Sequence, residues 1–162
     1  KFLLPLRAQI CLRVGMNNEF IIPLNGLAVG KNGFSWQADR EFFPEALQEY
    51  CYSFYTIGSE ESYEAFFELS QLMARYFPDN MDFVSNMGTY YLVSKDYKQA
   101  LKYYDKVLKK YPDDYTSIKN SALAARRMGN AKMEKKYLQM LVEHGTEADK
   151  LQAQARLEVL CR

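Results

Sequence analysis

The chain has 162 residues, 48% apolar and 25% charged, with 13 Tyr, 10 Phe and a formal net charge of +1. That length suits one domain with a core of its own, and that composition excludes a disordered or collagen-like chain. No run of 18 apolar residues occurs, which excludes a membrane-spanning helix.

The opening Lys1-Phe2-Leu3-Leu4-Pro5-Leu6 breaks at Arg7, too early for the apolar core of a signal peptide. The first residue is not Met, which points to a processed chain or a part of something longer, and leaves the localisation unknown. Residues 1–34 read as a degenerate helical hairpin. Val14-Gly15-Met16-Asn17 can be laid on Met128-Gly129-Asn130-Ala131, with Ala8 then on Ala122 and Leu24 on Leu138. A second reading stays open: Phe20-Ile21-Ile22 and Leu27-Ala28-Val29 as short strands around Asn25-Gly26, favoured by Pro23. Residues 35–46, with Trp36, Phe42, Phe43 and Pro44, read as an insertion.

From there the chain repeats itself. Phe77-Pro78-Asp79-Asn80 and Tyr111-Pro112-Asp113-Asp114 lie 34 residues apart. Between them, apolar residues at 83, 84, 87, 90, 91 and 92 predict one helix, and Ser94-Lys95-Asp96 interrupts it. Tyr97, Ala100, Leu101, Tyr104, Val107, Leu108 and Tyr111 then predict an amphipathic helix that Pro112 stops. Shifted back by 34, these positions become Tyr63, Phe66, Phe67, Ser70 and Met73, with Pro78 on Pro112. Shifted forward, Lys95-Asp96 becomes Gly129-Asn130, and Tyr104 and Val107 become Leu138 and Leu141. The units are therefore 47–80, 81–114 and 115–148, and 149–162 is a final helix with apolar Leu151, Ala155, Leu157 and Leu160, polar elsewhere, suited to cap an array.

Paired helices with a 34-residue period resemble the tetratricopeptide repeat (TPR). In 81–114 the family pattern reads Val84-x2-Met87-Gly88-x2-Tyr91, then Ala100-x3-Tyr104, then Pro112. Gly88, Tyr91, Ala100 and Pro112 match it, while Val84, Met87 and Tyr104 are conservative departures. Unit 115–148 keeps a small residue at the first helix crossing, Ala122, but has Glu134 at the second; unit 47–80 has Phe54 and Phe66 there. The resemblance implies an all-α, right-handed α-α superhelix, a TPR-like solenoid forming a single domain over 1–162.

It also implies a function: a non-enzymatic scaffold or adaptor, without cofactors, holding a protein or peptide in a concave groove lined by the first helix of each repeat. Asp82, Ser85, Thr89, Leu92 and Val93 would face that groove from one repeat, and Thr116, Lys119, Leu123, Arg126 and Arg127 from the next. Asn86 and Asn120 match the asparagine that often holds a ligand backbone in the family. Lys119, Arg127 and Lys150 add positive charge, which suits an acidic peptide. The candidate site is thus Asn86, Thr89, Lys119, Asn120, Leu123, Arg127 and Lys150. Thr89 and Leu123 stand where a carboxylate clamp needs a second asparagine, so a true clamp is not expected.

The remaining chemistry is sparse. His144 is the only histidine and falls in the last turn of a helix before Gly145, where it complements the helix dipole. Gly26-Leu27-Ala28-Val29-Gly30-Lys31-Asn32 has three residues between its glycines where a phosphate-binding loop needs four, and lacks the hydroxyl. Glu60, Glu61, Glu64 and Glu68 follow Ser59, a helix-start pattern rather than an acid–base pair. Lys98, Lys102, Lys106 and Lys109 form a stripe that reads as a solvated face, so nucleic acid is not an expected partner. Cys11, Cys51 and Cys161 have no metal-ligand or redox spacing and read as packed free thiols, with a Cys11–Cys51 disulfide left open.

Charge is unevenly placed. Gln37 to Asp82 holds ten acidic residues against two basic, a net −8; Lys95 to Lys136 holds twelve basic against five acidic, a net +7. An alternative function follows: self-assembly of copies into a homo-oligomer, with Trp36, Phe42 and Phe43 supplying apolar contact. A glycan-binding envelope component is the other alternative, for which the single Trp is thin support.

Overall fold

The structure, a computed structural model, describes residues 42–161. The reading of 1–34 as hairpin or strands, most of the insertion, Cys11, Trp36 and the side chains of Phe42 and Phe43 lie outside the described residues. Seven helices and no strands occur among the described residues: α1 (Phe42–Ile57), α2 (Glu60–Tyr76), α3 (Met81–Val93), α4 (Tyr97–Lys110), α5 (Tyr115–Arg127), α6 (Ala131–His144) and α7 (Glu147–Leu160). Successive helices pack on one another: α1 on α2, then α4 on α5, α5 on α6 and α6 on α7. This is the fold class of a TPR-like helical-repeat solenoid.

The local sequence explains each boundary. Ser59, Asp96, Asp114, Asn130 and Thr146 are N-caps, and each side chain accepts from the backbone N–H three residues on. Such a cap satisfies an amide the helix leaves orphaned, worth about 1 kcal/mol. At the other ends, the Phe77 and Tyr111 amides donate to the Met73 and Val107 carbonyls, and proline follows each. The α5–α6 turn is a Schellman cap. Gly129 takes φ +68°, and the Asn130 amide reaches back to the Ala125 carbonyl at 3.0 Å. At the equivalent place between α3 and α4, Lys95 holds φ 64°, the single non-glycine residue with positive φ among those described.

The chain divides into two compact units, one ending at Asn86 and one running from Met87 to Arg162, with the boundary inside α3. In the first, Leu47, Cys51 and Phe54 of α1 and Phe66, Leu69 and Met73 of α2 are buried, as is Phe83 at the start of α3. Ser62 and Ser70 are also buried, and each hydroxyl donates to a backbone carbonyl of its own chain neighbourhood, Ser59 and Phe66. Those bonds remove the penalty for burying a hydroxyl. Cys51 is a free, fully buried thiol 3.6 Å from Ser70 Oγ; burial pushes its pKa up to about 12. The Cys11–Cys51 disulfide left open by the sequence involves Cys11, which lies outside the described residues. Cys161 is free but exposed at the end of α7, which corrects the expectation that it packs as a small hydrophobe.

In the second unit the core runs through Leu101, Ile118, Ala122, Ala125, Tyr137, Leu138 and Leu141 to Ala153. Gly88 lets α3 approach α4: a Cβ built there would lie 2.7 Å from the Tyr104 ring. Tyr104 is fully buried, and its hydroxyl meets Thr89 Oγ1 and Asn120 Nδ2, each at 3.1 Å. Tyr137, equally buried, donates to Asp105 Oδ1 at 2.9 Å, tying α6 to α4. Burial and then Asp105 raise its pKa, so the phenol stays protonated.

Candidate functional site

Helices α5, α6 and α7 enclose a cavity of about 260 Å³ in the second unit. α5 contributes Lys119, Asn120, Leu123 and Arg126: Asn120, Leu123 and Arg126 recur every three residues and Lys119 lies four before Leu123, so they share one face. Leu138 and Leu141 of α6 form an apolar floor, and Gln152, Ala153 and Arg156 of α7 face α5 across it.

Pairing decides which charges stay available. Lys119 Nζ lies 2.9 Å from the Tyr115 hydroxyl and 3.1 Å from Asp149 Oδ1. Tyr115 in turn donates to Asp149 Oδ2 at 2.7 Å. The Tyr115 contact, with Asp149 beside it, raises the Lys119 pKa. Asp149 moves the other way, down to about 2, chiefly because the Thr146 hydroxyl donates to it and then because Tyr115 and Lys119 do. Arg156 makes two bonds to Glu134, Nε to Oε1 at 2.7 Å and Nη2 to Oε2 at 3.2 Å. Only 4% of the Glu134 side chain is exposed. A carboxylate so enclosed is tolerable because a bidentate guanidinium matches both its oxygens. Arg126 is exposed and has no ion-pair partner among the described residues.

The residues singled out from the sequence fall in different places. Lys119, Asn120 and Leu123 line this cavity. Asn86 belongs to the first unit, where both ends of its amide are taken by Gln48, at 2.9 and 3.2 Å. Thr89 bonds Tyr104, and Lys150 pairs with Glu147 at 3.0 Å. Arg127 is exposed and is not among the cavity residues, whereas its neighbour Arg126 is. Sequence reasoning missed Glu134–Arg156 and Lys119–Asp149 as pairs. The signal for the first was Glu134 itself, a charge at a position that the repeat gives to a small residue.

Residues 82–114, which form α3, the following turn and α4, match the family model described as Tetratricopeptide repeat. Residues 82–114 are thus similar to a tetratricopeptide repeat, in sequence as in helix pairing. The match covers the segment in which Gly88, Ala100 and Tyr104 make the close helix crossing described above. No curated protein matches the chain at a significant level. TPR repeats generally serve as protein–protein interaction scaffolds and are generally non-enzymatic. No described helix is long and apolar enough to cross a membrane.

Proposed function

We propose that this TPR-like protein holds a short peptide segment of a partner in the α5–α7 cavity, as a scaffold without chemistry of its own. The observation that carries the reading is the cavity's composition: an apolar floor with one uncommitted cation, Arg126, at its edge. An apolar side chain of the ligand would replace water over Leu138 and Leu141, while a neighbouring carboxylate meets the Arg126 guanidinium. Asn120 is already held by Tyr104 through its amide nitrogen, which leaves its carbonyl oxygen to accept from a peptide N–H. Lys119 and Arg156 act as walls, because their charges are matched by Asp149 and Glu134.

A selection from a displayed random-peptide library tests this. Enriched peptides should carry an acidic residue next to an apolar one. Their affinity should fall about tenfold or more in Arg126→Glu, a loss typical of a broken charge-assisted contact. Leu123→Asp should weaken the same peptides. Peptides without acidic residues, or binding indifferent to Arg126→Glu, would refute the assignment.

A further inference from the structure

A second surface of the same unit lies apart from that cavity. Lys98, Lys102, Lys106 and Lys109 stand exposed along α4 at i, i+4, i+8 and i+11, so they form one row. None of the four makes an ion pair among the described residues. They border a shallow groove of about 520 Å³ whose apolar floor is Leu101, Met128 and Met133. The one carboxylate among the described residues lining the groove, Asp105, already accepts from Tyr137. Tyr103 draws Lys106 over its ring at 5.0 Å, which leaves that ammonium without an anion.

The same chain carries the complement. Glu60, Glu64 and Glu68 stand exposed along α2 at i, i+4 and i+8, with Glu61 beside them. Glu64 and Glu68 occupy the repeat positions of Lys98 and Lys102, 34 residues earlier. The outward face of the second helix of a hairpin thus changes sign from one repeat to the next. A solvated surface has no need of that segregation, since mixed signs on each helix would pair locally. Apolar residues flank the acidic row. Tyr55, 38% exposed, packs its ring 5.9 Å from Tyr63 and 5.8 Å from Phe66, and Ile57 is 47% exposed.

We propose that the α4 lysine groove docks a second copy of this chain, which enters with the acidic face of its α2. Spacing favours this occupant: two helical rows with four-residue intervals bring three carboxylates to three ammonium groups in one register. Each exposed pair contributes only a factor of about 1.5 to 5 in affinity. The apolar floor is therefore essential, because methionine side chains adapt to an aromatic edge and exclude water around the charges. The two faces in contact differ, so the association either closes reciprocally into a twofold pair, each copy's α4 on the other's α2, or runs head to tail into a ring or an open chain. The peptide cavity between α5 and α7 takes no part, so the two readings stand or fall separately.

Sedimentation velocity of the full chain at about 0.02 M and about 0.5 M salt tests it, since that range shortens the screening length several-fold. A dimer or larger species at low salt that weakens at least tenfold at high salt is the expected result. Lys102→Glu/Lys106→Glu and Glu64→Lys/Glu68→Lys should each be monomeric, with unchanged helical circular dichroism. Mixing these two variants should restore a complex, because the acidic α2 of the first again meets a basic α4 on the second. A monomer at both salts overturns the proposal. So does association that ignores salt, or a mixture that stays monomeric. If Lys102→Glu/Lys106→Glu misfolds, Lys98→Glu/Lys109→Glu on the same row takes its place.

Discussion

Three helical hairpins of this chain solve one packing problem in three ways. In α3–α4 the crossing positions carry Gly88 and Ala100, and the large residue is Tyr104, fully buried against the space that Gly88 leaves. In α1–α2 the equivalent positions carry Phe54 and Phe66, both buried, and the place of Tyr104 is taken by Ser70. Aromatic volume has moved from one position to another while each core stays filled, as close packing requires. In α5–α6 the positions carry Ala122, Glu134 and Leu138, and the buried carboxylate is matched by Arg156 of α7. A repeat therefore constrains the sum of side chains at a crossing, and the satisfaction of their polar atoms, more than the identity of any one.

The sharpest way to break the third solution is Arg156→Ala. It strands the Glu134 charge, and the urea-unfolding midpoint should drop further than for any other substitution named below. Glu134→Ala/Arg156→Ala imitates the Ala100 solution and should recover most of that loss; a double as unstable as Arg156→Ala would show that the pair does not act as a unit. Next comes the α3–α4 crossing. Gly88→Val drives a branched side chain into the Tyr104 ring and should cost about 2–3 kcal/mol, an overpacking penalty. Tyr104→Phe should cost only about 1 kcal/mol, because it removes the hydroxyl bonds to Thr89 and Asn120 while keeping the ring.

The turns offer a smaller and cleaner comparison. Lys95 and Gly129 occupy equivalent positions with nearly equal φ, 64° and 68°. Nothing lies within 4 Å of a Cβ built at Gly129, so Gly129→Ala isolates backbone strain and should destabilise by about 1 kcal/mol. Lys95→Gly should stabilise by a similar amount, read as a higher melting temperature; a loss would mean that the lysine side chain holds the turn.

The smallest expected effect separates the α7 cap from the rest. The Asp149 pKa is lowered from the ordinary 3.8 to about 2 in the folded chain, so its stabilising contribution is fully present above the unfolded value. It is lost as pH falls from about 4 through about 2. Asp149→Asn should flatten that part of the acid-unfolding curve while leaving its neutral-pH slope alone. An unchanged acid limb would show that Thr146, Tyr115 and Lys119 do not hold the carboxylate in solution.

Much of this was open to reading in the sequence. The period came from Pro78 and Pro112, and one helix start from Ser59, because a cap or a proline acts within four residues of itself; Lys95-Asp96 and Gly129-Asn130 read only as turns, and the structure adds that Asp96 and Asn130 cap the helices that follow. The family match over 82–114 fell on the segment whose Gly88, Ala100 and Pro112 had carried the resemblance. Three candidate site residues, Lys119, Asn120 and Leu123, share a cavity because their spacing alone puts them on one face of α5. The sequence by itself thus determined the paired helices of the repeats and their apolar sides, but not the start of α1, which begins at Phe42 inside the stretch read as an insertion. Only the tertiary structure decided which charges remain free. Arg156 reaches Glu134 across 22 residues of chain and Asp149 reaches Lys119 across 30, while Arg126 is left without an ion-pair partner among the described residues. The physical reason is range: propensity and capping act along the chain, whereas ion pairing depends on separation in space, which only the packed helices set.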